Sequence, residues 1–202
     1  MKILSSSLLE MQEFEIIWQK KFKDTPPVGY RLREQFYDRW LRFHSLPKSK
    51  RYPSTDEERS VLLSRANTLV GKMFRREEAF WLISSRPDYD ESKIPLDPHP
   101  FTVESRDLPK AFSWEDLRED PEDRLQWSSY AKLLTWRPGL FDDVFLKIAD
   151  GEEFAIVFAS SDMTSLLAPY DGGFDLILPN VESVSELTNE FRTWLSDRGD
   201  GL

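Results

Sequence analysis

The chain has 202 residues, is 40% hydrophobic and carries seven Trp, six Tyr and fourteen Phe, which is the length of one domain and enough apolar volume for a sizeable core. It has no Cys and only two His, His44 and His99, which removes disulfides, thiolate chemistry and any zinc site built from several imidazoles. The formal charge of −9 is uneven: residues 1–52 hold eleven Lys or Arg against six Asp or Glu, so the remainder carries −14, a field that argues against general nucleic-acid binding and draws basic partners inward.

The N-terminal stretch meets Glu10 and Glu13 before a leader core could form, and no apolar run approaches the ~20 residues that cross a bilayer. No membrane association is therefore expected, and the expected compartment is the cytoplasm. The first helix begins near Ser7, whose spacing to Glu10 suits a capping box, and Phe14, Ile17, Trp18 and Phe22 recur at helical intervals. "DTPPVG" ends it. From Tyr37 to Leu46 alternation predicts a strand, with Leu41 and Phe43 on one face and Trp40, Arg42 and His44 on the other. A turn holding Lys48, Lys50 and Arg51 follows. Thr55 and Glu58 then form a second capping box ahead of an apolar stripe of Leu62, Ala66, Leu69, Val70 and Met73, which predicts a long amphipathic helix.

"EAFWLISS" predicts a strand. Residues 86–111 hold five of the thirteen prolines and no periodicity, so an irregular surface connection is expected there. Next comes an acidic segment, Glu115, Asp116, Glu119, Asp120, Glu122 and Asp123, with a short capped helix at most; it reads as a solvated face or as a docking surface for a basic partner. "LQWSSYAKLLTW" is strand-like, and Pro138 precedes a helix whose apolar face is Phe141, Val144, Phe145 and Ile148. "EEFAIVFAS" is a further strand. "LLAPYDGGFDLILP" predicts a hairpin through Asp171-Gly172-Gly173, residues that tolerate the positive φ of a tight turn. A last helix is expected from a third capping box, Ser183 and Glu186, with Leu187, Phe191, Trp194 and Leu195 on one face and Gly199 as its C-cap. The hairpin forces antiparallel pairing, so the expected fold is one α+β domain over 1–202, a mainly antiparallel sheet with amphipathic helices packed on it.

Glycine-rich phosphate loops, nucleophile elbows and His-Glu-x-x-His are missing, and no cofactor or metal is implied. "PDYDESK", residues 87–93, has acids and a Lys as a metal-dependent nuclease would, but packs them into one proline-rich loop, where they cannot occupy separate strands. Two stretches remain as candidates. Lys48, Lys50 and Arg51, near Arg42 and His44, precede a helix N-terminus and form an anion site or a set of structural ion pairs. Asp171 and Asp175 form the other: Asp175 shares a strand face with Ile177, which predicts burial and a need for a cationic partner. Arg51 or Lys50 is expected within salt-bridge reach of one of these acids.

These two blocks, "RFHSLPKSKRYP" before a long helix and "PYDGGFDLIL" before a Trp-containing helix, resemble a bacterial family named as domain of unknown function 3885. The resemblance covers residues 28–75 and 127–202 and implies no established activity. Where the family usually has a His before the proline of the second block, this chain has Ala168, so any role of that His is absent. By analogy with small acidic bacterial proteins of this look, an immunity-type protein that occludes a basic toxin through its acidic surface is the leading expectation. The alternative is an enzyme or small-molecule binder whose anion site faces Asp171 and Asp175.

Overall fold

The computed structural model describes residues 6–75, 77–88, 108–117, 120, 122, 124 and 126–196. Its elements are α1 (Ser6–Phe22), α2 (Gly29–Gln35), β1 (Trp40–His44), α3 (Asp56–Met73), β2 (Ala79–Pro87), β3 (Lys110–Glu115), β4 (Gln126–Thr135), α4 (Asp142–Ala149), β5 (Ile156–Ser160), β6 (Leu166–Tyr170), β7 (Gly173–Ile177) and α5 (Val181–Glu190). The seven strands form one sheet in the order β1-β7-β6-β5-β2-β4-β3, and every neighbouring pair is antiparallel. The fold is therefore α+β, as the hairpin requires.

Helices cover both faces of this sheet. One face carries Phe43, Phe80, Leu82, Phe158, Leu167, Phe174 and Leu176, packed with Leu62, Ala66, Leu69 and Val70 of α3 and with Val144, Phe145 and Ile148 of α4. The alternate residues, Trp81, Ile83, Val157, Ala159, Leu166, Ala168 and Ile177, meet Met11, Phe14, Trp18 and Phe22 of α1 and Leu32 of α2. A sheet buried on both sides needs nearly continuous apolar strands, and all five residues of β7 are buried, Asp175 among them. Burying each large side chain is worth about 1.5–3 kcal/mol, so the central strands anchor the molecule. Trp18 also donates from Nε1 to the Thr25 carbonyl at 2.9 Å, which ties the chain leaving α1 back onto it.

Several local features differ from the sequence expectation. Residues 37–39 form a 3-10 turn, so β1 is confined to Trp40–His44. Helix α2 was not expected after the two prolines, and β3 occupies residues expected to be irregular or helical; it lies at the sheet edge beside β4. Helix α5 is capped by Asn180, whose side chain accepts from the Ser183 amide at 2.8 Å, so the Ser183 capping box does not form. At α3, Thr55 Oγ1 does accept from the Glu58 amide at 3.3 Å, but the Glu58 carboxylate returns to the Ser54 amide at 2.7 Å, one residue before the cap. Gly199 lies outside the described residues.

The β6–β7 turn corrects the reasoning about its glycines. Gly172 and Gly173 do not have positive φ; Gly139 and Gly151 do, at 80° and 75°. The turn needs glycine for room. A Cβ on Gly173 would overlap the Phe43 carbonyl oxygen in β1, and one on Gly172 would lie 2.9 Å from Cε2 of Tyr170.

Candidate functional site

The register of the sheet edge builds the site. In the three adjacent strands β1, β7 and β6, Arg42 stands opposite Asp175 and Asp175 opposite Ala168, so all three share one face. Arg42 grips Asp175 with a two-pronged pair, Nε to Oδ1 at 2.7 Å and Nη2 to Oδ2 at 2.8 Å, and Trp40 Nε1 donates to Oδ1 at 2.8 Å. Asp175 is 6% exposed. A planar guanidinium suits this arrangement because it can satisfy both oxygens and still stack on rings. It lies 4.3 Å from the Tyr170 ring centroid and 5.5 Å from that of Trp40. Burial works against the Arg42 charge, but the hydrogen bonds and charge of Asp175 outweigh it and raise its pKa. Burial also pushes the Tyr170 phenol up to about 12, so it stays neutral.

Arg51 reaches the neighbouring acid, with Nη2 2.7 Å and Nε 2.8 Å from Asp171 Oδ2, and Tyr52 Oη donates to the same oxygen at 3.2 Å. Its side chain is 63% exposed, so this second pair positions the turn more than it stabilises it. The two acids of the second block are thus each held by an arginine of the first.

Both pairs border a cavity of about 450 Å³. Helix α2 contributes Tyr30 and Arg33, β4 contributes Trp127, the α4–β5 loop contributes Glu153 and Phe154, and Tyr170 closes the sheet side. Gly29 brings α2 close to the sheet here: a Cβ on it would sit 3.0 Å from that of Ala168. Ala155, also in the wall, has φ 53, a left-handed conformation that costs a non-glycine residue energy and that ligand-binding loops often carry. Arg33 makes no ion pair among the described residues; its guanidinium lies 5.8 Å from the Trp40 ring centroid. Arg42 Nη1 likewise donates to no acceptor among them, because Nε and Nη2 make its hydrogen bonds. The cavity therefore has cationic donors to spare while Asp171 and Asp175 are engaged.

The other sequence candidates lie apart from the cavity lining. Lys50 Nζ is held by Ser54 Oγ at 2.7 Å and by the Glu58 carboxylate at 2.5 Å, and that hydrogen bond holds Glu58 down at about 2. Lys48 sits in the turn at φ 56, and the following Ser49 at φ 53. His44 is 9% exposed, with Nε2 lacking a hydrogen-bond partner among the described residues, and its carbonyl accepts from Arg65 Nη1 at 2.7 Å. Burial first, then the nearby Arg42 charge, lowers the His44 pKa against a smaller opposing effect of the Gly172 backbone. Among the described residues no three His, Asp or Glu gather to hold a metal ion.

The acidic segment does not behave as one surface. Asp116 is 5% exposed and accepts from Arg31 Nε at 2.7 Å and from Tyr30 Oη at 3.4 Å, so it belongs to the interior under α2 rather than to a docking face. Glu115, Asp120 and Glu122 are exposed. Glu119 and Asp123 lie outside the described residues, as do Tyr89 to Lys93 of the nuclease-like loop.

Sequence reasoning missed Tyr30, Arg33, Trp127, Glu153 and Tyr170 as wall residues. Tyr30 and Arg33 have the i, i+3 spacing of one helix face, a signal that needed α2 to be recognised first. The chain matches the family described as Domain of unknown function (DUF3885) over residues 28–199, a span that runs through the proline-rich middle as well as both sequence blocks. No curated protein and no solved structure matches it.

Proposed function

The chain belongs to the domain of unknown function 3885 family, a membership that assigns no reaction, and from the cavity we propose that the protein binds a small anionic molecule there. One observation carries this reading: Arg33, Arg42 and Arg51 border the same cavity, with Arg33 free of ion pairs among the described residues and Arg42 Nη1 free of acceptors. A cation-binding reading fits less well, because Asp171 and Asp175 already receive two-pronged or paired arginine contacts and Glu153, the third carboxylate of the wall, is 3% exposed and engaged as well. The volume lies toward the lower end of the ~300–1,000 Å³ usual for small-molecule sites.

The test is a thermal-shift and calorimetric panel of small anions, ringless and ring-bearing, including inorganic phosphate, citrate and adenosine monophosphate. A ligand at about 100 times its Kd stabilises the folded state by ~2.7 kcal/mol. Stabilisation by at least one anion, lost in Arg33→Ala, is expected; no response across the panel, or an equal response in Arg33→Ala, refutes the reading.

A second reading is an immunity-type protein that docks a basic toxin. What supports it is the exposure of Glu115, Asp120 and Glu122 together with the −14 carried beyond residue 52. Such a surface would act mainly on association rate.

A further inference from the structure

We propose that the cavity selects a ring-bearing anion, a molecule that joins a planar aromatic group to a phosphate or carboxylate; this rests on the anion-binding reading above and narrows it. Three features of the wall carry the inference. The first is size. A cavity of about 450 Å³ is far larger than an inorganic anion and matches a mononucleotide or an aryl acid. The second is the wall chemistry: Tyr30, Trp127, Phe154 and Tyr170 line it together with the arginines. Flat rings beside guanidinium planes stack planar ligands and gain little from aliphatic ones. The Trp127 ring is also stacked on that of Trp114, at 5.0 Å and 13° between planes, a contact that restrains it at the cavity wall. The third is charge placement. The spare guanidinium of Arg33 belongs to the same helix as Tyr30, three residues away, and the spare Nη1 of Arg42 belongs to a guanidinium stacked on Tyr170. Each donor for the anion thus stands one helical turn from an aromatic residue of the wall or lies against one. A ligand with both parts uses the whole lining, whereas either part alone leaves half of it hydrated.

The experiment titrates the full chain at about 150 mM salt, where unspecific surface attraction is screened. One arm uses adenosine monophosphate, ribose 5-phosphate and adenosine; the other uses indole-3-carboxylate, cyclohexanecarboxylate and indole. Calorimetry and Trp fluorescence are read together. In at least one arm the ring-bearing anion should bind about tenfold or more tightly than both of its controls, since stacking and a charged hydrogen bond each contribute on that scale. A preference confined to the first arm identifies a phosphate ligand, and one confined to the second a carboxylate. Arg33→Ala should weaken the ring-bearing anion about tenfold while leaving the uncharged ring compound unchanged. Trp127→Leu should narrow the gap to the ringless anion, and Tyr30→Leu, at a residue on the cavity rim, repeats the test should the Trp stack prove essential to folding. Ringless anions binding as tightly as ring-bearing ones overturn the inference while leaving the anion-binding reading in place. An uncharged ring compound that binds as tightly as its anion overturns both, as does no binding in either arm.

Discussion

Removing the carboxylate of Asp175 strands a charge that the fold has taken out of water. In Asp175→Ala, Arg42 loses both prongs of its pair and Trp40 Nε1 loses its acceptor, while the arginine side chain stays 12% exposed between Tyr170 and Trp40. Breaking a buried pair by deleting one partner costs ~3–5 kcal/mol, because the remaining charge keeps its desolvation penalty without compensation. For a chain of this length ~1 kcal/mol moves the melting temperature by ~2–4 °C, so a drop of roughly 6–20 °C is expected. The assay is urea unfolding followed by Trp fluorescence, with the slope checked against the wild type so that a change in midpoint reads as a change in stability. A second variant separates charge from packing. In Arg42→Met with Asp175→Leu both charges vanish together, and the loss should be smaller than that of Asp175→Ala alone, since apolar replacements of similar volume carry no desolvation cost. A loss below about 1 kcal/mol in Asp175→Ala would refute the reasoning, for it would mean that water screens the pair as it screens a surface bridge.

The pH dependence of stability should carry a signature of His44. Its folded pKa lies below the ordinary His value, so as pH falls through ~6.5 the unfolded chain takes up a proton that the folded chain refuses, and stability declines until the lower folded pKa is passed. His44→Gln should flatten that limb below about pH 6.5 in chemical denaturation, and an unaltered slope would count against it. Gly173→Ala should cost more than Gly151→Ala: the first forces a Cβ into the Phe43 carbonyl, whereas the second meets open space and suffers only from φ 75, worth about 1 kcal/mol. Comparable melting temperatures for the two would show that β1 can move away from the turn. Replacing Glu115, Asp120 and Glu122 by Gln or Asn should leave the melting temperature unchanged, and under the docking reading should slow association with a basic partner. Asp116→Ala, by contrast, should cost ~1–3 kcal/mol, since Arg31 loses this acceptor while keeping Glu34 at 2.9 Å, and equal behaviour of all four acids would contradict the buried pair.

Long periodic elements were legible because their apolar spacing and their burial coincide. Of the expected α3 stripe, Leu62, Ala66, Leu69 and Val70 are buried and Met73 is half-buried, with Arg65 the one polar residue on the buried face. Helix α2 was not, since among its seven residues Leu32 is the buried aliphatic side chain and the other buried one is Arg31, a residue that sequence patterns place outside. Strand β3 was hidden for a related reason: at an edge beside a proline-rich stretch and an acidic run, "KAFSWE" buries little more than Phe112. For the site, an acid sharing a face with Ile177 correctly pointed to a buried, paired Asp175. The sequence could not choose its partner, because that choice depends on a strand register spanning 133 residues. Lys50 looked equivalent to Arg51 in the cationic turn, yet a local contact with Glu58, eight residues away, captured it first. Asp116 was indistinguishable from its neighbours in the acidic run, and only the packing of α2 over the end of β3 sets it apart.

The place of β1 at the sheet edge, paired among the described residues with β7 alone, has a kinetic meaning. The strand that supplies Arg42 finds its partner more than 130 residues further along the chain, and contacts of such long sequence separation form late and slowly. At ~5–20 residues per second of synthesis, β1 waits on the order of ten seconds before β7 exists. Through that interval Trp40, Leu41 and Phe43 have no strand to cover them, and a nascent chain in this state is prone to pairing with another copy of itself. The arginine–aspartate clasp thus forms only after the β6–β7 hairpin has emerged and docked, and a chain interrupted before Leu166 keeps Arg33, Arg42 and Arg51 but lacks Ala168, Tyr170, Asp171 and Asp175 of the cavity wall.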